Sequence, residues 1–79
     1  MIYYEKDELK KRIKSLISEV TFTYNGERCG VDPFSAHDFD VWYGDKYEKM
    51  TDIDQVMNTP FFNGKTLGEI APIIELDQD

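Results

Sequence analysis

Val20-Thr21-Phe22-Thr23-Tyr24-Asn25-Gly26-Glu27-Arg28-Cys29-Gly30-Val31 is the stretch whose reading decides how this chain folds. Its first five residues alternate apolar and polar β-formers. Asn25-Gly26 then supplies the positive φ angles of a two-residue type I′ turn. A turn of two residues fixes the register. Tyr24 faces Glu27, Thr23 faces Arg28, Phe22 faces Cys29 and Val20 faces Val31. Opposed residues share a sheet face, so Val20, Phe22, Cys29 and Val31 point one way while Thr21, Thr23 and Arg28 point the other.

A second hairpin obeys the same logic. Phe39-Asp40-Val41-Trp42-Tyr43 alternates, Gly44-Asp45 turns the chain, and Lys46 to Met50 returns. Phe39, Val41, Tyr43 and Met50 share one face, with Glu48 a misfit on it. Asp40, Trp42, Tyr47 and Lys49 share the other, with Asp40 opposite Lys49 and Trp42 opposite Tyr47. Between the hairpins, Asp32-Pro33-Phe34-Ser35-Ala36-His37-Asp38 breaks the alternation and reads as a loop or a single helical turn. Nothing local says how one hairpin docks on the other.

Outside the hairpins the period changes. Residues 4–19 read as an amphipathic helix: Leu9, Ile13, Leu16 and Val20 recur at helical spacing, and Ile17 widens the stripe. Glu5, Asp7 and Glu8 suit the first turn, and Asp7–Lys11 and Glu8–Arg12 are favourably oriented i,i+4 pairs. The basic cluster Lys10, Lys11, Arg12 and Lys14 therefore reads as a solvated face. Thr51 or Asp52 caps a short helix to about Asn58, which Pro60 ends. Asn63-Gly64 turns again, and Thr66-Leu67-Gly68-Glu69 has the form of a capping box before a short helix through about Ile74. Pro72 limits that helix to a turn or two, and the tail Asp77-Gln78-Asp79 is expected to fray. The expected architecture is α+β: an N-terminal amphipathic helix on a three- to four-stranded antiparallel sheet built from two hairpins, with short C-terminal helices.

Seventy-nine residues, 41% hydrophobic and 32% charged, with five Phe, five Tyr and one Trp, fit one small domain spanning residues 1–79, without linker or internal repeat. The aromatics help so short a chain close a core. One cysteine, Cys29, excludes an internal disulfide framework and a Cys-rich zinc site. The sequence has no signal-peptide pattern and no stretch of the ~20 apolar residues that cross a membrane. The chain reads as a complete small bacterial-type open reading frame, and a reducing cytoplasm is its expected setting. Net charge is −7. Residues 1–20 hold a net +1 and residues 21–79 a net −8. That field disfavours direct nucleic-acid binding and anionic membranes.

The reactive residues are few. Cys29 and His37, each the only one of its kind, invite a thiol-nucleophile reading. The hairpin register instead puts Cys29 on the apolar face, where a thiol behaves as a small hydrophobe. Ser35, His37 and Asp38 are close in sequence, but triad members converge from separate elements. Ser35 reads as a turn residue and His37 as a loop histidine. Asp38, Asp40 and Asp45 fail the calcium-loop spacing, because its positions 5, 6 and 12 fall on Trp42, Tyr43 and Lys49. Gly64-Lys65-Thr66 echoes the end of a phosphate loop but lacks its first glycine. No catalytic residue, cofactor or metal site is expected.

Trp42 and Tyr47 remain. Two large aromatics beside Arg28, Asp40 and Lys49 have the makeup of an interface anchor with a polar rim. The competing reading, which the sequence favours, is coverage by the C-terminal segment. Phe61, Phe62, Leu67, Ile70, Ile73 and Ile74 must bury against something, that face is available, and an exposed Trp is costly for solubility. Three functions follow. The first is a small acidic non-enzymatic interaction module whose partner is another protein or a second copy of the chain. The second is an acidic inhibitor or nucleic-acid mimic that occupies a basic groove. The third is a small thiol-dependent enzyme using Cys29 or His37.

Overall fold

The two hairpin turns set the sheet. In the computed structural model, which describes residues 3–16 and 18–77, β1 (Val20–Tyr24) and β2 (Glu27–Ser35) pair antiparallel with Tyr24, Thr23, Phe22 and Val20 opposite Glu27, Arg28, Cys29 and Val31. Asn25 and Gly26 adopt φ of 54° and 78°, the positive values the turn requires. β3 (Asp38–Tyr43) and β4 (Lys46–Met50) pair with Asp40 opposite Lys49 and Trp42 opposite Tyr47. Gly44 takes φ 58° at the head of that turn.

Asp32–Asp38 is neither loop nor helical turn. β2 runs on to Ser35, only Ala36 and His37 turn the chain, and β3 begins at Asp38. Pro33 is tolerated for a geometric reason. Alternation along β2 aims its missing N–H toward β1, and β1 has already ended opposite Val31, so no ladder bond is lost. Phe34 is then an extra residue, a bulge between Pro33 opposite Phe39 and Ser35 opposite Asp38. This middle hairpin joins the other two, and the sheet is a meander in the order β1-β2-β3-β4.

The first helix is shorter than its periodicity suggests. α1 spans Lys6–Lys14, with Glu5 as N-cap, and its Glu5 N–H donates to the Glu8 carboxylate at 3.2 Å. It ends at Ser15, whose hydroxyl donates to the Arg12 carbonyl at 2.6 Å, and Leu16 then takes φ 60°. Leu9 and Ile13 are fully buried, but Leu16 is exposed and Val20 belongs to β1. Ladder pairing of Val20 with Val31 overrides a helical stripe that would have continued to residue 19. Ile17 lies outside the described residues, as do Gln78 and Asp79 of the tail.

The C-terminal half forms as its caps direct. α2 (Ile53–Asn58) starts behind Asp52, whose carboxylate accepts from the Gln55 N–H at 2.8 Å. Asn63, at φ 55°, heads a tight turn closed by a Phe62–Lys65 bridge. α3 (Leu67–Ile70) carries the full capping box: Glu69 N–H to Thr66 Oγ1 at 3.0 Å, and Thr66 N–H to Glu69 Oε1 at 2.8 Å. A 3₁₀ turn, Ala71–Ile73, follows with Pro72 inside it.

All three helices lie on one side of the sheet. Leu9 and Ile13 of α1, Val56 and Met57 of α2, and Phe62, Leu67, Ile70, Ala71 and Ile74 form a single buried cluster with Val20, Phe22, Cys29, Val31, Phe39, Val41 and Met50. Coverage of Trp42 and Tyr47 by the C-terminal segment, which the sequence favoured, is thus incorrect. The sheet face already carrying the α1 contacts had room for every apolar C-terminal residue except Ile73, which stays exposed. The chain then passes along the outer edge of β1, where Leu76 bridges Phe22 and the Asp77 N–H donates to the Thr21 carbonyl at 3.0 Å. Among the described residues, no helix packs on the opposite sheet face.

Candidate functional site

The open face is built by the alternate residues of all four strands. Register sets Thr21, Gly30, Trp42 and Tyr47 in one row across the sheet, and Asp32, Asp40 and Lys49 in the next. Trp42 is its centre. The indole lies flat on the Gly30 backbone: a Cβ at Gly30 would stand 2.2 Å from Trp42 Cζ2. Glycine in the neighbouring strand therefore makes the seat on which the ring is half-buried.

Tyr47, Asp40 and Lys49 converge at one end. The Tyr47 hydroxyl donates to Asp40 Oδ1 at 2.7 Å, although 58% of the residue stays exposed. The Lys49 ammonium lies 3.0 Å from the same oxygen and 2.7 Å from Asp38 Oδ1, and it stands 4.9 Å above the centre of the Phe34 ring. The Tyr47 hydrogen bond, then Lys49, holds the Asp40 carboxyl below its ordinary range. The same contacts push Tyr47 and Lys49 above theirs: the Asp40 carboxylate for Tyr47, and Asp38 before Asp40 for Lys49.

Arg28 lies at the other end. Its guanidinium binds Asp77 and donates to Thr23 Oγ1 at 2.8 Å, while Thr21 Oγ1 donates to Asp77 Oδ2 at 2.8 Å. The Arg28 hydrogen bond lowers the Asp77 carboxyl from its usual range against a smaller cost of burial. Asp32 is half-buried and stands directly opposite Asp40. Among the described residues it has no salt-bridge partner.

The other candidates disperse. Cys29 is fully buried on the apolar face, where loss of solvation pushes its thiol up to about 11. A thiol in that state is a poor nucleophile at neutral pH. His37 sits in the β2–β3 turn, and its backbone N–H, not its ring, meets Ser35 Oγ at 3.1 Å. Asp38 is committed to Lys49. Asp45 lies at the opposite sheet end from Asp38, in the β3–β4 turn. Among the described residues no three potential ligands gather as a metal site. Thr66 of Gly64-Lys65-Thr66 is engaged as a helix cap. No described helix is long and apolar enough to cross a membrane.

Sequence reasoning brought together Arg28, Asp40, Trp42, Tyr47 and Lys49 on one face, as the structure does, but in two clusters flanking the indole. It missed Asp32 and Phe34, hidden in the supposed loop, Gly30 as the seat of Trp42, and Asp77, assigned to the tail. Alternation continuing through Cys29, Val31 and Pro33 was the available signal for Asp32. Compared with protein families, curated proteins and solved structures, the chain matches none.

Proposed function

We propose that this chain is a non-enzymatic interaction module that receives a partner protein on its open sheet face, with Trp42 as the anchor. The observation that supports this most directly is the half-buried indole seated against Gly30, with Tyr47 opposite it and the hydrogen-bonded Asp40 and Lys49 in the next row. A preordered aromatic with a polar rim loses little side-chain entropy on binding. Charge indicates the partner's chemistry. On this face Asp32, Asp38, Asp40 and Asp77 outnumber Arg28 and Lys49, and among the described residues Asp32 beside Asp40 has no counter-ion. A lysine or arginine of the partner would lie over Trp42 and meet Asp32, adding cation–π and ion-pair terms together. The proposed setting is a reducing cytoplasm, which suits a single free thiol.

The acidic-decoy reading is weaker. Asp38, Asp40, Asp54 and Asp77 are already paired with Lys49, Lys10 or Arg28 within the chain, so they form no free row to imitate phosphates. Affinity capture separates the two. Wild-type chain, Trp42→Ala and Asp32→Lys, each with unchanged circular dichroism, are used as bait at low and high salt. The expected result is a protein held by wild type and lost by both variants. Equal retention by all three chains overturns the proposal. Capture that ignores Trp42→Ala and vanishes with salt would establish the decoy instead.

A further inference from the structure

The sheet has two edges, and they are treated differently. β1 is occupied along its middle by Leu76 and Asp77. β4 ends the strand order, and Lys46, Tyr47, Glu48 and Lys49 are all exposed. Glu48 and Lys46 point to the helix side of the sheet, yet the helices leave them in solvent. A bare edge of this kind can take another strand.

The backbone of β4 is set for it. Lys46 opposite Tyr43 closes the two-residue turn, so that pair exchanges hydrogen bonds, and alternation aims the Glu48 and Met50 amides at β3 as well. Tyr47 and Lys49 therefore turn their N–H and C=O groups outward. A strand docking here hydrogen-bonds to those residues.

The side chains then select the occupant. Around Tyr47 the charges read Asp45 minus, Lys46 plus, Glu48 minus, Lys49 plus. An antiparallel copy reverses the order, so opposite signs come together. We propose that β4 is a self-pairing edge: two copies of this chain join their β4 strands antiparallel about a two-fold axis at Tyr47. Tyr47 faces Tyr47 of the second copy on the axis and Lys46 faces Glu48 twice, with Asp45 of each β3–β4 turn beyond the end of the ladder on the side of the other copy's Lys49. The neighbouring symmetric registers fail on charge. Centring on Glu48 opposes two glutamates, and centring on Lys49 opposes two lysines. Edge charges in a monomer serve to repel other strands, and a guard works best with one sign. The mixed order here attracts its own reverse. Because the axis stands perpendicular to the sheet, both open faces point the same way, and the Trp42–Tyr47 row runs on through the second copy. The pairing stands whether or not that face binds another protein.

Sedimentation equilibrium from about 10 µM to 1 mM tests this. Wild type is expected to dimerise reversibly within that range. Lys46→Glu and Glu48→Lys each set like charges opposite one another twice, and each should weaken the dimer by about tenfold or more. The double swap, Lys46→Glu with Glu48→Lys, restores opposite signs and should recover association to within about threefold. Both positions are solvent-exposed, so the fold should persist, as circular dichroism will verify. A wild-type monomer throughout overturns the proposal. So does a dimer indifferent to the single variants, or a double swap no better than either. Trp42→Ala should leave the dimer intact; a dimer lost with it would place the contact on the open face and overturn the edge pairing.

Discussion

The two faces of this sheet come from the same strands, yet they solve different problems. On one, Phe22, Cys29, Val31, Phe39, Val41 and Met50 are at most 1% exposed beneath three helices. On the other, every strand contributes a polar or aromatic residue, and order comes from hydrogen bonds and ion pairs at the surface. The pleat performs this separation, because a side-chain period of two sends neighbours to opposite faces. Stability is thereby concentrated on the helix side. The open side is free to vary its chemistry, provided its side chains stay ordered.

The sharpest way to break this comparison is to empty the covered face. Phe22 is fully buried, bridges Leu76, and packs 5.7 Å from the Phe62 ring. Phe22→Ala is expected to cost about 3–5 kcal/mol in urea unfolding, a large part of the stability of a domain this size. Tyr47→Ala, an aromatic truncation on the open face, should cost a small fraction of that. Similar losses from the two would mean that the faces are not energetically distinct.

A smaller effect is expected where the open face touches its own backbone. Alanine normally suits a strand better than glycine, yet a Cβ at Gly30 would stand 2.2 Å from the Trp42 ring. Gly30→Ala should therefore lift the indole, lower stability by about 1–2 kcal/mol, and shift tryptophan emission to the red. Unchanged emission would show that the ring has other support.

How far the sequence revealed this division depends on the reach of each signal. Asn25-Gly26 and Gly44-Asp45 are local rules with a fixed outcome, and the pairs they imply, Phe22 with Cys29 and Trp42 with Tyr47, are present. The caps at Asp52 and Thr66 are local too. What lay beyond local reading was the choice between alternatives of similar cost. Pro33 looks like a strand breaker until one knows that β1 stops short of it. Leu16 continues a helical stripe until Val20 is claimed by the ladder. The C-terminal apolar residues could have covered either face, and only packing around Leu9 and Ile13 decides. At the site, the residues on β3 and β4 followed from alternation, whereas the Asp77 contact with Arg28 depends on where the chain's end returns, which no neighbouring residue encodes.

The smallest expected effect, and the finest probe of the open face, is its response to acid. Asp40 has a folded-state pKa below its unfolded value, because the carboxylate accepts from Tyr47 and Lys49. The sign follows from linkage: the contribution is full above the ordinary aspartate value of about 3.9 and is lost as pH falls through the depressed one. Asp40→Asn should therefore lower stability slightly at neutral pH and flatten the fall below about pH 4, with the two chains converging at lower pH. Because the groups are exposed, about 1 M salt should shrink the difference. Asp54, held down by Lys10 between α1 and α2, has the same sign on the helix side, so Asp54→Asn should flatten the curve similarly. Tryptophan emission separates the two. Trp42 shares a sheet face with Asp40, and only Asp40→Asn should alter the acid dependence of its fluorescence. If both variants altered it equally, the signal would be reporting global unfolding, and the open face would have no titration of its own.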